Sequence, residues 1–534
     1  MDEENYMLFG DNVVYNTDSK LNSPANYELI SKLKGQGFIC KRENESFLWF
    51  GYKKINRTFD DFDESLKTFN GQLLSFQYSD TLKLLNNDRC ILASSVGTGK
   101  TIVSLALINY LLYKNKESKI LIVVPKSIIS QWIEQAKTFI NIDIIPYGND
   151  AFDNAGIKII SYGRLRTGIF KYKKFDLVLF DEASNIKSIK SKQSKEACLI
   201  KSTKKTLITA TPIKNNCTEI FSLMKVLDSS SYLFNNYSNF VNDYTEQKYI
   251  FSIKRTVPIG YKNLEQLKKK ISPFIIKSDR NSPEIQKQIG QKFDIIEENR
   301  IVNLSKPQDF NNELLRNKIF NLLKNLKEDI TDSEIDSAMV GESTSLDEFK
   351  QLLLPIFTFM RLNADSTELL ELSDSEKMKE FSFYSDVLHQ SNKIQELLEI
   401  LDELEGKTVI FTCFSKMADI IEKRLKEAGI QSIKTTGQTQ NNDKLIEEFK
   451  ISKTKNILIS TDINKAGVNL QVAQNIVNFD LPFTDADYQQ RIGRVSRIGQ
   501  KFIPIVINII SKDTIDEKIL SYIQKKRLMN QSLI

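Results

Sequence analysis

Histidine is almost missing from this chain: among 534 residues there is one, His389. It falls in a helical stretch outside every motif described below, and a lone histidine so placed reads as structural or exposed rather than catalytic. Cysteine is scarce as well. The five thiols, Cys40, Cys90, Cys198, Cys217 and Cys413, lie far apart with no C-x-x-C pair, which excludes a zinc knuckle, a redox motif and a disulfide scaffold. They read instead as reduced thiols of a cytoplasmic protein. Glycine at 20 and proline at 11 are too few for a collagen-like or low-complexity chain. No uninterrupted apolar run reaches the roughly 18 residues of a membrane span. The acidic N-terminus lacks a basic-then-apolar export signal, so no membrane partner is expected.

What is present is a globular composition. Hydrophobic residues make up 41% and charged residues 27%, enough apolar surface to offset chain entropy, so disorder is not the theme. At roughly 100–200 residues per domain, the length favours two to four domains. The 74 Lys and Arg against 68 Asp and Glu leave a net charge of +6. That surplus is too small to argue for a polyanion partner, because lysine-rich solvated faces produce the same total.

Two stretches share one rhythm of short β-rich apolar runs followed by amphipathic helical segments. In the first, residues 89–93, 119–124, 157–161, 175–180 and 205–209 read as buried parallel strands; in the second, residues 407–411, 456–460, 475–479 and 503–510 do. This alternation predicts two α/β lobes with helices on both sheet faces. The pattern divides the chain into a small N-terminal module (1–70) with a hairpin near its end, a first lobe (71–228), a mostly helical insertion (229–404) and a second lobe (405–534).

The strongest local signal is Ser95-Val96-Gly97-Thr98-Gly99-Lys100-Thr101, placed after an apolar strand and before a helical pattern. Glycines let backbone N–H groups wrap phosphates at a helix N-terminus; Lys100 can reach the β- and γ-phosphates, and the Thr101 hydroxyl can ligate Mg²⁺. Ser94 stands where the usual string opens with glycine. A second signal, Asp181-Glu182, follows the strand 175–180, at the strand end where open parallel sheets bind ligands. There Asp181 would hold Mg²⁺ and Glu182 would polarise the attacking water. The third is Gln489-Gln490-Arg491-Ile492-Gly493-Arg494-Val495-Ser496-Arg497, with arginines three apart on one helical face.

In this order, and over nearly all of residues 77–528, the set resembles the Swi/Snf-type translocases of helicase superfamily two. Several further elements carry the likeness: Gln77 near the start, residues 123–127 with Gln131-Trp132, Ser161-Tyr162, and residues 209–216. In the second lobe they are residues 409–411, Ser460-Thr461-Asp462, residues 466–470 and the closing Arg497-Ile498-Gly499-Gln500. The resemblance implies two RecA-like P-loop NTPase lobes that use ATP and Mg²⁺ on double-stranded or forked DNA. It implies that Gln77 recognises adenine and that Arg494 and Arg497 act as arginine fingers. Thr209 and Thr211 would link the nucleotide site to a strand-contact surface that uses Trp132, Thr461, Asn469 and Gln490. Ser184 and Ser496 stand where the family usually has histidine, which touches coupling rather than hydrolysis itself.

Compact bacterial or viral members of the family suggest a monomeric cytoplasmic motor that remodels forks, serves repair, or displaces proteins such as RNA polymerase or a replication protein. The closing helix, opened by a capping box at Thr514 to Glu517, is followed by nothing resembling a chromatin reader, so a nucleosome-directed role is not expected. A strand-separating helicase and a nucleotide-switched nucleic-acid-binding protein are the alternatives.

Overall fold

A computed structural model describes the backbone of residues 6–9, 12–17, 39–43, 46–52 and most of the chain from residue 60 onward. Outside it from that point lie 147–155, 171–172, 214–216, 230–233, 235, 251–254, 290–293, 325–334, 336–337, 340–349, 373–390, 438, 440, 462–468 and 534. His389, Asp462, the glycine-bearing stretch 466–468 and residues 214–216 of the predicted motifs therefore lie outside the described residues. Two compact units result, one built from Met1–Thr245 with Tyr261–Asp279, the other from Glu246–Gly260 with Arg280–Ser532.

The first unit opens with a four-stranded antiparallel sheet of β1 (Tyr6–Phe9), β2 (Asn12–Thr17), β3 (Ile39–Glu43) and β4 (Ser46–Tyr52), in the order β1-β2-β4-β3. The expected hairpin is there: β3 turns into β4 with Glu43 opposite Ser46. A parallel sheet follows, built from β5 (Arg89–Leu92), β6 (Lys119–Val124), β7 (Ile145–Pro146), β8 (Gly156–Ser161), β9 (Lys174–Asp181) and β10 (Lys201–Ile208). After a two-stranded ribbon, β11 (Thr245–Ile250) and β12 (Arg255–Tyr261), the chain returns to add β13 (Ile275–Ile276) at the sheet edge beside β5. The order is β13-β5-β10-β9-β6-β8-β7. Central strands are buried almost end to end, as in Ile120 to Val124 and Leu177 to Phe180, because helices cover both faces.

The second unit carries β14 (Ile296–Val302), β15 (Thr408–Thr412), β16 (Ser432–Thr435), β17 (Ile457–Thr461), β18 (Asn475–Asn478) and β19 (Ile505–Ser511), all parallel, in the order β14-β19-β18-β15-β17-β16. The stretch 229–404, read as helical, thus supplies an edge strand to each sheet. Its helices Lys306–Lys324, Lys350–Asp365 and Asn392–Glu403 share one continuous core with the second sheet, through residues such as Leu315, Phe357, Met360 and Leu397.

The final helix, Ile515–Leu533, is capped one residue out of the expected register. Thr514 Oγ1 accepts the Asp516 N–H at 3.2 Å, and Glu517 accepts that of Asp513 at 3.1 Å. No described helix is long and apolar enough to cross a membrane.

Candidate nucleotide-binding site

The phosphate loop leaves β5 and enters the helix Lys100–Lys114. Gly97 and Gly99 have φ of 85° and 81°, a left-handed conformation that glycine adopts without steric cost. Lys100 Nζ arches over the loop and donates to the carbonyls of Ser94 and Ser95 at 2.9 and 3.1 Å. Thr98 Oγ1 donates to Ser95 O at 2.8 Å, tightening the turn. The first N–H groups of the helix have no intrahelical acceptor and face the loop, an electrostatic setting suited to phosphate. Val96 and Thr101 are half-buried at its mouth.

Gln77 lies against this loop. Its Oε1 accepts the Leu74 N–H at 3.0 Å and its Nε2 donates to Thr98 O at 2.9 Å. Contact is so close that a Cβ on Gly99 would meet Nε2 at 2.6 Å. Both ends of the amide are engaged by the chain itself, and the side chain is 3% exposed.

Sequence reasoning missed Ser278. From just beyond β13, 184 residues away, it donates its N–H to Ser94 Oγ at 3.1 Å, while its carbonyl accepts the Ser95 N–H at 3.0 Å. The hydroxyls of Ser94 and Ser278 both donate to Asp80 Oδ2, at 3.1 and 2.7 Å. The serine standing in place of the first glycine is therefore a tether. Its only sequence signal was the departure at Ser94 itself.

At the end of β9, Asp181 is buried. Its Oδ1 accepts the Glu182 N–H and its Oδ2 accepts the Trp132 indole N–H, each at 2.8 Å, while its carbonyl accepts the Tyr162 hydroxyl at 2.8 Å. Burial raises the carboxyl's pKa; the two N–H donors and the charge of Lys100 oppose the rise. Burial, with the charges of Asp181 and Glu182, pushes the Tyr162 phenol well above its usual value, so it stays a donor. Glu182 takes φ 50°, uncommon for a residue with a Cβ and typical of functional elbows. Asn185 holds the elbow, donating to Glu182 O through its side chain at 2.8 Å and its backbone at 3.0 Å. Ser184 follows in the short turn Ala183–Ile186.

Among the described residues no three His, Cys, Asp or Glu side chains gather as a metal cage. One buried carboxylate whose side-chain partners are all N–H donors, with a threonine hydroxyl at the loop, suits Mg²⁺, which keeps several waters and takes its other oxygens from substrate phosphates.

Two residues expected at a strand-contact surface have buried side chains. Trp132 is 2% exposed and turned inward, its indole N–H donating to Asp181 as a buried tryptophan N–H usually finds an acceptor. Thr461, at the end of β17, is fully buried, and its hydroxyl has no hydrogen-bond partner among the described residues. Thr209 is buried too, its hydroxyl accepting the Thr211 N–H at 3.2 Å. Asn469 is exposed and bonded to Gln471, and Gln490 is half-buried.

The arginine string occupies the helix Asp485–Val495, whose N-cap Thr484 accepts the Asp487 N–H at 3.2 Å. Arg494 is buried, 5.9 Å from the Phe411 ring. Arg497 follows the helix, its Nε donating to Gly493 O at 2.7 Å. Arg491 is a structural member: it donates to Asn478 Oδ1 at 2.9 Å and to Asp480 O at 2.6 Å. Ser496, in the second histidine position, is buried, and its carbonyl accepts from Arg280 at 3.2 Å.

Fold and site define a two-lobed P-loop NTPase. The SNF2-related domain matches residues 34–348, and the helicase conserved C-terminal domain matches 392–499. The chain belongs to the SNF2 family. It is 26% identical over 503 residues to the human SWI/SNF-related matrix-associated actin-dependent regulator of chromatin subfamily A containing DEAD/H box 1, covering 83% of this chain and 47% of that protein. Over 453 residues it is 24% identical to the uncharacterized ATP-dependent helicase YqhH of Bacillus subtilis, covering 82% of this chain and 75% of that one. The chain spans about half the length of the first of these relatives. Among solved structures it resembles the Sulfolobus solfataricus SWI2/SNF2 ATPase core in complex with dsDNA, with 24% identity, 88% of this chain and 94% of that chain covered, and a TM-score of 0.40.

Proposed function

We propose that this chain is a DNA-dependent ATPase that hydrolyses ATP to move along double-stranded DNA, remodelling forks or displacing bound proteins. The observation that carries the reading is the placement, in one parallel sheet, of the phosphate loop after β5 and the Asp181-Glu182 elbow at the end of β9, with only β10 between the two strands. The backbone of Ser95 to Gly99 and the ammonium of Lys100 bind the phosphates, and Gln77, beside the loop, recognises the adenine by exchanging its bonds to Leu74 and Thr98 for bonds to the base. Thr101 and Asp181 would hold Mg²⁺, which would supply charge neutralisation to the nucleotide phosphates. Glu182, aimed by its left-handed backbone, orients the attacking water and accepts its proton. Arg494 and Arg497 stabilise the charge that develops on the γ-phosphoryl oxygens. Thr209 and Thr211 link the nucleotide site to a track that Asn469 and Gln490 help to contact, and the N-terminal module (1–70) supplies substrate preference.

A track held through phosphates gives binding that weakens steeply with salt and shows little sequence preference. ATP turnover measured with duplex, single-stranded and forked DNA tests the assignment. Duplex or forked DNA should stimulate more than single strands, and ATP should drive displacement of a triplex third strand. Displacement of a duplex strand instead would favour a strand-separating helicase. Glu182→Gln should bind ATP and fail to hydrolyse it; wild-type turnover in that variant would sink the reading.

A further inference from the structure

Two elements send one side chain each to Asp181, and one of them, the helix that carries Trp132, was expected to face the track. The helix Ile129–Ile140 follows a short turn, Lys126–Ile128, and Lys126, Ser127 and Ser130 at this end are exposed. From its next turn Trp132 reaches inward to Asp181 Oδ2 at 2.8 Å. The segment after β8 sends Tyr162, whose hydroxyl reaches the Asp181 carbonyl at 2.8 Å. The carboxylate therefore has one donor from its own elbow, the Glu182 N–H, and one from a helix with a polar, basic, exposed end.

An indole N–H is a single, directional donor. Outer partners of this kind orient a metal-binding carboxylate and tune its affinity. We propose that Trp132 is a positioning residue: it sets the Asp181 carboxylate for Mg²⁺ and ties that setting to the helix Ile129–Ile140, so that an anionic track gripping the exposed end adjusts the hydrolysis site. The inference rests on the function proposed above and gives Trp132 a role at the hydrolysis site.

Trp132→Phe tests it: phenylalanine keeps an aromatic ring in the core, removes the N–H donor and gives up part of the indole's volume, a packing loss that by itself does not change the Mg²⁺ requirement. The Mg²⁺ concentration for half-maximal turnover should rise about 10-fold or more, stimulation by duplex DNA should fall more than the basal rate, and affinity for nucleotide without Mg²⁺ should stay as in wild type. An unchanged Mg²⁺ requirement overturns the proposal.

A second measurement needs no turnover and survives a folding failure of that variant. The chain has two tryptophans, so Trp49→Phe leaves Trp132 as the only indole. Its emission should change when Mg²⁺ is titrated into the ADP-bound protein, and Asp181→Asn should abolish the change; an emission blind to Mg²⁺ also overturns the proposal. The two readings fail separately: a Glu182→Gln protein with wild-type turnover defeats the proposed function, whereas a normal Trp132→Phe beside an inactive Glu182→Gln defeats only this one.

Discussion

Ser278 donates its hydroxyl to Asp80 across 2.7 Å and, through its N–H, ties down the Ser94 hydroxyl that shares the same carboxylate oxygen. All three side chains are buried. The start of the phosphate loop is thus fixed to the helix Ser75–Asn86 on one side and to the sheet-edge segment after β13 on the other. A hydrogen bond to a buried carboxylate contributes roughly 1.5–3 kcal/mol. Ser278→Ala should loosen the loop and raise the dissociation constant for a fluorescent ADP analogue by about 10-fold, a loss on the order of 1.4 kcal/mol. Ser278→Thr, which keeps a hydroxyl, should recover most of the affinity. If Ser278→Ala binds nucleotide as wild type does, the tether does not position the loop.

Nine of the strands were legible in the sequence because they are central and buried on both faces, and such strands read as plain apolar runs. The edges were not. β14 runs Ile296-Glu297-Glu298-Asn299-Arg300-Ile301-Val302 and is mostly exposed, so its polar residues hide a strand that pairs along its whole length with β19. β13 has two residues and no period to detect. The phosphate loop and the acid elbow were legible because their chemistry is local. Ser278 was not, since its meaning arises only when residues 184 positions apart meet. The inward bond of Trp132 to Asp181 was not legible for a related reason: helical spacing cannot say whether an amphipathic aromatic turns its ring to a ligand or its N–H to a buried carboxylate.

The three arginines of the string should separate by phenotype. Arg491 is 2% exposed and binds Asn478, the carbonyl of Asp480 and, at 3.4 Å, the Cys413 sulfur; its guanidinium also lies 3.8 Å from the Asp480 carboxylate. Its removal leaves buried acceptors without a donor, a loss of about 3–5 kcal/mol. Arg491→Ala should therefore lower the urea midpoint of the second unit. Arg497→Ala, which gives up a bond to Gly493 O near the surface, should unfold close to wild type and lose turnover by about 10³-fold. Equal turnover losses with equal midpoints in the two variants would show that the division between structural and catalytic arginines is wrong.

Stability should also depend on pH through Lys205, a buried ammonium in β10 that donates to the carbonyls of Ile200 at 2.9 Å, Val226 at 3.0 Å and Ala197 at 3.4 Å. It thereby satisfies carbonyls near the ends of the helices Lys192–Leu199 and Thr218–Leu227. Burial, with the charge of Arg89 adding to it, pulls the Lys205 pKa down to about 8. Between that value and the ordinary lysine value of about 10.4, the unfolded chain holds a proton that the folded chain has released. Stability at this site therefore rises with pH across the window, by about 2 kcal/mol from pH 7.5 to 9.5. Lys205→Met has no proton to release, so its urea midpoint should drop relative to wild type as the pH is raised over that range. A gap between the two proteins that stays constant with pH would mean that the Lys205 ammonium titrates in the folded chain as it does in water.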